Sequence, residues 1–387
     1  MARIQIVNVG IDTIRANVKY TDEQGKPMKT QTVPDRLERR FVDWQEKAKA
    51  DGNAVPTTFS FHGVRLMMQP YAAPSWKYVI DNDCIHLELC PRLRIPALAK
   101  VTWYSPYLWS MSTPEDAVDE VHAFLIDLFG QNLMLQPSQL DLCVDVVNFK
   151  PPERWRQVFI SRARRKADYE ASQKDRAHYF GRNLETVYFS GHGRPVSAKL
   201  YDKTLEISQQ ANKKDYFHER WKRFGWNGTS DVWRVEFSLE RAGLHEMDLE
   251  DLYDALRNTK RLWDYCTQTW LRMVTPDPQE KNRTRWQTAM PWREIQAAFD
   301  RYGCRMVDAL GPLVRERKYK ADLEQMTAQI AGCATTFAAM CEELSEEDDT
   351  DVIFTLLYDK VKTRWQTTHT IPQDSVREKK FRYHRKA

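Results

Sequence analysis

Several features are missing from this sequence, and each absence narrows the reading. Its seven cysteines (Cys84, Cys90, Cys143, Cys266, Cys304, Cys333 and Cys341) include no Cys-x-x-Cys pair. An odd count without paired spacing argues against a disulfide framework, and thiols set in apolar patterns read as small core residues. No run approaches the ~18 consecutive apolar residues of a membrane span. Met1-Ala2-Arg3 is followed by no apolar leader, so the expected compartment is the reducing cytoplasm, with no membrane partner. There is no internal repeat and no extended low-complexity segment. A large charge excess is missing too: a net charge of +4 says little about partners by itself. What remains is ordinary globular composition, 42% apolar and 29% charged, over 387 residues. That length suits two domains, or one large domain with an appendage.

The distribution of charge is more informative than its sum. Residues 150–176 carry nine Lys or Arg against four acids, and residues 377–386 carry six against one. Such clusters neutralise phosphates, the main source of DNA affinity, although a solvated helix face has the same composition. Arg162, Arg164, Arg165 and Lys166 close a predicted basic helix over 155–166. Between 213 and 230 the chain is rich in Lys, Arg, Trp and Gly and reads as a surface excursion. There Trp221 and Trp226 lie beside Lys222 and Arg223, a mixture suited to stacking and neutralising single-stranded DNA.

Strand patterns cover 4–20, with Gly10 as a candidate bulge, and several segments between 57 and 101. Helical patterns cover 36–50 and a stretch after Thr113. There Thr113 can cap, Pro114 suits the first turn, and Glu115 and Asp116 oppose the helix dipole. Residues 140–149 read as a strand with Asp141, Cys143 and Asp145 on one face. A hairpin is predicted from 186–190 and 196–203, and a further strand from 232–239. Residues 249–273 and most of the chain after 288 read as helical. Two prolines among polar residues in 274–288 set the expected domain boundary: 1–275 as one domain, 276–387 as a helical segment with a basic tail. The fold class is α+β with a mainly antiparallel sheet.

Chemistry concentrates in this middle region. Leu200-Tyr201-Asp202-Lys203 places a tyrosine in a strand with Lys203 two residues on, hence on the same face. A tyrosine oxygen can hold a phosphoryl group covalently, and carboxylates are the ligands that Mg²⁺ or Mn²⁺ prefers. Asp141 and Glu236 sit among apolar strand residues, where an unpaired carboxylate is costly. They are the first metal candidates, with Glu88 and Asp145 behind them. Asp145 stands about 13 Å along the strand from Asp141, at ~3.3 Å per residue, and is better placed to bind an arginine. Salt bridges from Arg234 and Lys199 are the competing account of these acids. Arg234 shares a face with Glu236 and could hold a scissile phosphate or orient the acids.

Leu140-Asp141 with Asp145, the aromatic strand Glu185-Thr186-Val187-Tyr188-Phe189, a Gly-His-Gly-Arg-Pro loop, Leu200-Tyr201-Asp202-Lys203 and Trp233-Arg234-Val235-Glu236 follow one another in order. This set, between Leu140 and Glu236, resembles the replication initiation factor family, a resemblance that extends over roughly residues 75–275. That family comprises initiators of rolling-circle plasmids and filamentous phages and related relaxases of integrative conjugative elements. The resemblance implies a palm-like sheet related to the HUH nucleases, with helices packed on one side. It implies a 5′-phosphotyrosyl intermediate on Tyr201, formed at one strand of an origin with divalent metal assistance. The implied partners are supercoiled origin duplex and its nicked strand, a host helicase and polymerase, and a second copy of the chain. Better-known nucleases of that architecture carry two metal-binding histidines separated by one residue. None of the nine histidines here has that spacing, so carboxylates would have to replace them, His192 being the nearest histidine in sequence. A conjugative relaxase, or a DNA-binding regulator that lost catalysis, are the alternative readings.

Overall fold

The computed structural model describes residues 3–92, 95–130, 132–162, 177–180, 183–190, 193–209, 215–301, 312–315, 323–345, 349–368, 372–373 and 376. The chain forms two compact units, Met1–Arg315 and Glu316–Ala387. The expected boundary at 275 therefore moves to 315. The reason is apolar: Trp292, Ile295 and Phe299 are fully buried in the core of the first unit. Trp263 donates its indole N–H to the Ile295 carbonyl at 3.0 Å, and Trp292 donates to Thr267 at 2.9 Å.

The first unit is built on strands β1 (Gln5–Tyr20), β2 (Val55–Phe61), β3 (Val64–Met68), β4 (Trp76–Asp81), β5 (Ile85–Pro91), β6 (Ala99–Tyr104), β7 (Leu133–Val147), β8 (Phe159–Ser161), β9 (Ala177–Phe180), β10 (Asn183–Phe189), β11 (Val196–Asp202), β12 (Val232–Glu240) and β13 (Leu271–Met273). Eleven of them form one sheet in the order β2-β3-β4-β5-β6-β1-β7-β12-β11-β10-β9, while β8 pairs with β13. Every recorded pairing is antiparallel. The α+β class with a large antiparallel sheet holds.

Alternation decides what each face buries. Leu140, Leu142, Val144 and Val146 of β7 and Val235, Phe237 and Leu239 of β12 point into the main core. On that side lie α1 (Asp35–Asp51), α2 (Ser105–Ser110) and α3 (Pro114–Phe129). Thr113 caps α3 through a capping box with Asp116, as its sequence predicts. The opposite face of β7 and β12 carries Asp141, Cys143, Asp145, Arg234 and Glu236.

Three local predictions fail for identifiable reasons. The helix expected over 155–166 stops after one turn, α4 (Trp155–Val158), because Phe159-Ile160-Ser161 pairs with β13 instead. The continuous helix expected over 249–273 is divided. After α5 (Lys203–Gln209), α6 (Asp215–Arg223) and α7 (Arg241–His245) come α8 (Leu252–Arg257), α9 (Thr259–Asp264) and a π-turn at Tyr265–Trp270 that feeds β13. The surface excursion at 213–230 contains α6, whose Phe217 and Trp221 are fully buried beside Val7, Val147 and Val232. Helix α10 (Met290–Ala297) and a 3₁₀ turn at Ala298–Arg301 also belong to the first unit. The second unit holds α11 (Leu323–Met340) and α12 (Thr350–Thr367); Lys360 of α12 pairs at 2.6 Å with Glu343 in the turn that follows α11, and Asp349 caps α12.

Candidate active site

The polar face of β7, β12 and β11 is organised by register. Tyr201 lies opposite Arg234, which lies opposite Asp145; Lys199 lies opposite Glu236, which lies opposite Cys143. Two rows of side chains therefore cross the three strands two residues apart, on one face.

The first row is locked by Arg234, a fully buried guanidinium. Its Nε and Nη2 donate to the two oxygens of Asp145 at 2.6 and 2.8 Å, and its Nη1 donates to Asp12 at 2.6 Å. Asp145 also accepts from Asn8 Nδ2 at 3.1 Å and Trp221 Nε1 at 2.8 Å. Four donors saturate this carboxylate. It is a structural partner of Arg234, which corrects its candidacy as a metal ligand. Arg234 likewise has each of its nitrogens committed and no exposed surface, so it orients acids and does not present a fork to a phosphate.

Asp12, absent from the sequence-based set, reaches this row through a backbone irregularity. The β1/β7 register skips from Ile11↔Leu142 to Thr13↔Asp141, leaving Asp12 as the extra residue of a bulge. Bulges re-aim side chains beside functional sites, and this one turns Asp12 onto the Arg234 face. Burial raises the Asp12 carboxyl, but Arg234 and Lys203 beside it outweigh that and hold its pKa below the usual value. Gly10 pairs in register with Cys143 and is not the bulge.

The candidate reactive groups lie where the two rows meet, Tyr201 from the first and Lys199 and Glu236 from the second. Tyr201 is 5% exposed. Its hydroxyl donates to Glu236 Oε2 at 2.9 Å and accepts from Lys203 Nζ at 3.4 Å. Burial and then the Glu236 charge push the phenol well above its ordinary range, with Arg234 pulling the other way. Lys199 Nζ bonds Glu236 Oε1 at 3.1 Å and stands 4.5 Å from the Tyr201 ring centroid. Burial lowers the Lys199 pKa, but Glu236 overcomes this and raises it, keeping the ammonium charged. Lys203 begins α5 instead of ending the strand, yet still faces Tyr201. It pairs with Glu206 at 2.5 Å, and burial, then Arg234, lower its pKa. The competing salt-bridge account of the acids is therefore partly realised, since Lys199 pairs with Glu236 and Arg234 with Asp12 and Asp145.

Glu236 opens onto a pocket of ≈260 Å³ shared with Asp141, Gln139, Tyr188, Ser190, Lys199 and Ser238. Asp141 accepts from Gln139 Nε2 at 2.9 Å on both oxygens. Burial, and then the charge of Glu236, push its carboxyl up to about 7. Among the described residues no three Asp, Glu, His or Cys side chains converge closely enough to enclose a cation by themselves. Asp141, Glu236 and Glu240 all line this pocket, and a pair of them, Asp141 with Glu236, matches the way Mg²⁺ is held by one or two acids, waters and a substrate phosphate. The mutual repulsion felt by Asp141 and Glu236 is what such a cation relieves. Asp141 and Glu236 fit; Glu88 does not. It pairs with Lys100 at 2.7 Å on β5, four strand spacings from β12, or about 19 Å at ~4.8 Å each.

The DNA-binding candidates divide. Trp221 and Trp226 are buried and spend their indole N–H groups on Asp145 and the Ser230 carbonyl. They are not open stacking platforms. Lys222 and Arg223 are exposed, and beside them Phe224 is 54% exposed. Arg162 is exposed at the end of β8. Arg164, Arg165, Lys166, His192 and the basic tail lie outside the described residues.

A solved structure, that of a rolling circle replication initiator protein from Geobacillus stearothermophilus, aligns with 76% of this chain and 96% of its own at 13% identity and a TM-score of 0.43. No family model and no curated protein sequence matches the chain. Among the described residues no helix is long and apolar enough to cross a membrane.

Proposed function

We propose that this chain nicks and rejoins one strand of DNA through a 5′-phosphotyrosyl intermediate on Tyr201, and so initiates rolling-circle replication. The observation that carries the reading is the Tyr201–Glu236 hydrogen bond, flanked by Lys199 and Lys203 at the edge of an acidic pocket. A buried phenol needs a base, and Glu236 is already its acceptor. Attack of Tyr201 Oη on phosphorus passes the phenolic proton to Glu236. The P–O3′ bond breaks, and the 3′ oxygen leaves and takes a proton from solvent. Lys199 and Lys203 offset the charge that develops on the phosphoryl oxygens. A Mg²⁺ or Mn²⁺ ion held by Asp141 and Glu236 would polarise the phosphate. The bond energy stays in the tyrosyl phosphate, and the free 3′ hydroxyl serves a host polymerase, with a host helicase opening the duplex and a second copy of the chain as a partner at the origin.

Lys222, Arg223 and the exposed Phe224 form the element best suited to guiding the single strand, cations for phosphates and one aromatic face for a base. Arg162 adds a phosphate contact. The decisive test is covalent capture. The protein is incubated with Mn²⁺ and a pool of random-sequence single-stranded oligonucleotides, denatured, and examined for DNA-linked protein. Recovery of DNA-linked Tyr201 peptide is the expected result. Absence of any linked protein rejects the reading.

A further inference from the structure

Gln139, two residues before Asp141 on β7, is engaged at both ends of its amide. Its Oε1 accepts from Arg15 Nη1 at 2.8 Å, while its Nε2 donates to both Asp141 oxygens at 2.9 Å and to Ser238 Oγ at 3.2 Å. Arg15 lies opposite Gln139 in the β1/β7 register, so both side chains stand on the polar face. The register then skips to Ala16↔Pro137, leaving Ser138 as the extra residue of a further bulge beside this pair. A glutamine amide can present either its oxygen or its NH₂ to a neighbour. A guanidinium has only donors, so it must face the oxygen, and that turns the NH₂ toward Asp141. Arg15 thereby decides which group Asp141 meets, although its own hydrogen bond ends on Gln139.

We infer that Arg15 and Gln139 are positioning residues for a divalent cation at Asp141: Arg15 locks the amide of Gln139, and Gln139 holds the Asp141 carboxylate ionised and in one orientation. This rests on the metal site proposed above. A carboxylate binds a cation only when deprotonated, and hydrogen bonds from outside the ligand set fix how it points. An NH₂ aimed at Asp141 serves both needs, because it favours the anion and anchors the carboxylate to the backbone of its own strand. The reversed amide would set an oxygen against that anion and undo both. The same nitrogen reaches Ser238 on β12, two residues from Glu236, so it also ties together the two strands that supply the acids. Arg15 uses one N–H of its fork for this contact, so any donor-only cation of similar reach can take its place.

The test reads Mn²⁺ binding to the full chain without DNA, by titration followed through the electron paramagnetic resonance of the free ion. Arg15→Met and Gln139→Leu should each weaken Mn²⁺ affinity by about 10- to 100-fold, the usual cost of losing a group that orients a metal ligand. The double variant should bind no worse than the weaker single one, because both act through one amide. Arg15→Lys should restore binding close to wild type, which a loss of packing alone would not do. Should Arg15→Met fail to fold, Arg15→Gln takes its place, since a neutral amide leaves Gln139 free to turn either way. Wild-type affinity in Arg15→Met or Gln139→Leu, losses that multiply in the double variant, or an Arg15→Lys protein as weak as Arg15→Met each overturn the inference. A wild-type chain that binds no Mn²⁺ overturns it together with the metal site, and adduct formation on Tyr201 in excess chelator then leaves the tyrosine reading standing.

Discussion

Glu236 accepts the hydroxyl of Tyr201 on one oxygen and the ammonium of Lys199 on the other, at 2.9 and 3.1 Å. One carboxylate thus couples the phenol to a pocket cation. In the proposed mechanism Glu236 is the base, so Glu236→Gln should slow adduct formation by about 10²–10⁴-fold, the usual contribution of a positioned base. Tyr201→Phe should abolish the Tyr201 adduct while thermal unfolding changes little. Rates of covalent capture by the two variants are the measurement. A Glu236→Gln enzyme that reacts at the wild-type rate removes Glu236 from proton transfer.

Asp141 makes stability depend on pH in a defined direction. Its folded carboxyl titrates at about 7, raised by burial first and by Glu236 second, against an ordinary value of 3.8. Between those values the folded state keeps a proton that the unfolded state has lost, so this group's contribution falls as pH rises from about 4 to 7. Asp141→Asn should therefore match wild type near pH 4 and unfold at a higher temperature above pH 7. The gain should be about 2–6 °C, from roughly 1–3 kcal/mol for a poorly solvated buried charge. Mn²⁺ should raise the wild-type melting temperature at pH 8 and leave the variant unmoved. Melting curves in the presence and absence of Mn²⁺ check both statements, and an identical response in the two proteins removes Asp141 from the metal site.

Arg234 invites the opposite expectation, loss of fold before loss of chemistry. Arg234→Met strands Asp145 and Asp12 as buried charges, and breaking such a pair costs about 3–5 kcal/mol. Arg234→Lys retains the charge but cannot reproduce the two-pronged contact with Asp145, so it should also melt early. Denaturant unfolding without DNA is the readout. A stable Arg234→Lys protein with lost DNA capture would return Arg234 to the phosphate.

Much of this site was legible because strands announce themselves by alternation. Asp141, Asp145, Arg234 and Glu236 interrupt apolar strand patterns, and a charge in such a place must be partnered. Asp12 was not legible, since its position depends on a bulge that only pairing with β7 reveals. Tyr188 lies in a quoted aromatic strand, but its place in the pocket follows from register with Lys199, which sequence does not specify. The segment around α6 was misread because cations dominate its composition. The informative signal was Phe217 and Trp221, four residues apart and so on one helical face. The same error made a basic helix of 155–166, where the aromatic and β-branched Phe159-Ile160 favour a strand. Charge marked where solvent is, and in both segments the few apolar residues decided the structure.

The replacement of the buried tryptophans by Phe224 as the open aromatic leads to the last prediction. Phe224 is 54% exposed at the end of α6, with Arg220 5.8 Å from its ring and Lys222 and Arg223 preceding it. If a base stacks there, Phe224→Ala should weaken binding of single-stranded oligonucleotide by about 1–3 kcal/mol, roughly 5- to 150-fold, with little change in salt dependence. Lys222→Ala with Arg223→Ala should weaken binding too, but should flatten the salt dependence, because phosphate contacts release counterions and stacking does not. Trp226→Phe tests the correction directly: it loses the bond to Ser230 and should lower the melting temperature while leaving DNA affinity of the folded protein close to wild type. Fluorescence anisotropy across a salt series, with melting curves for all three proteins, separates these outcomes. Unchanged affinity in Phe224→Ala combined with a large loss in Trp226→Phe would put the base-stacking surface back on the tryptophan.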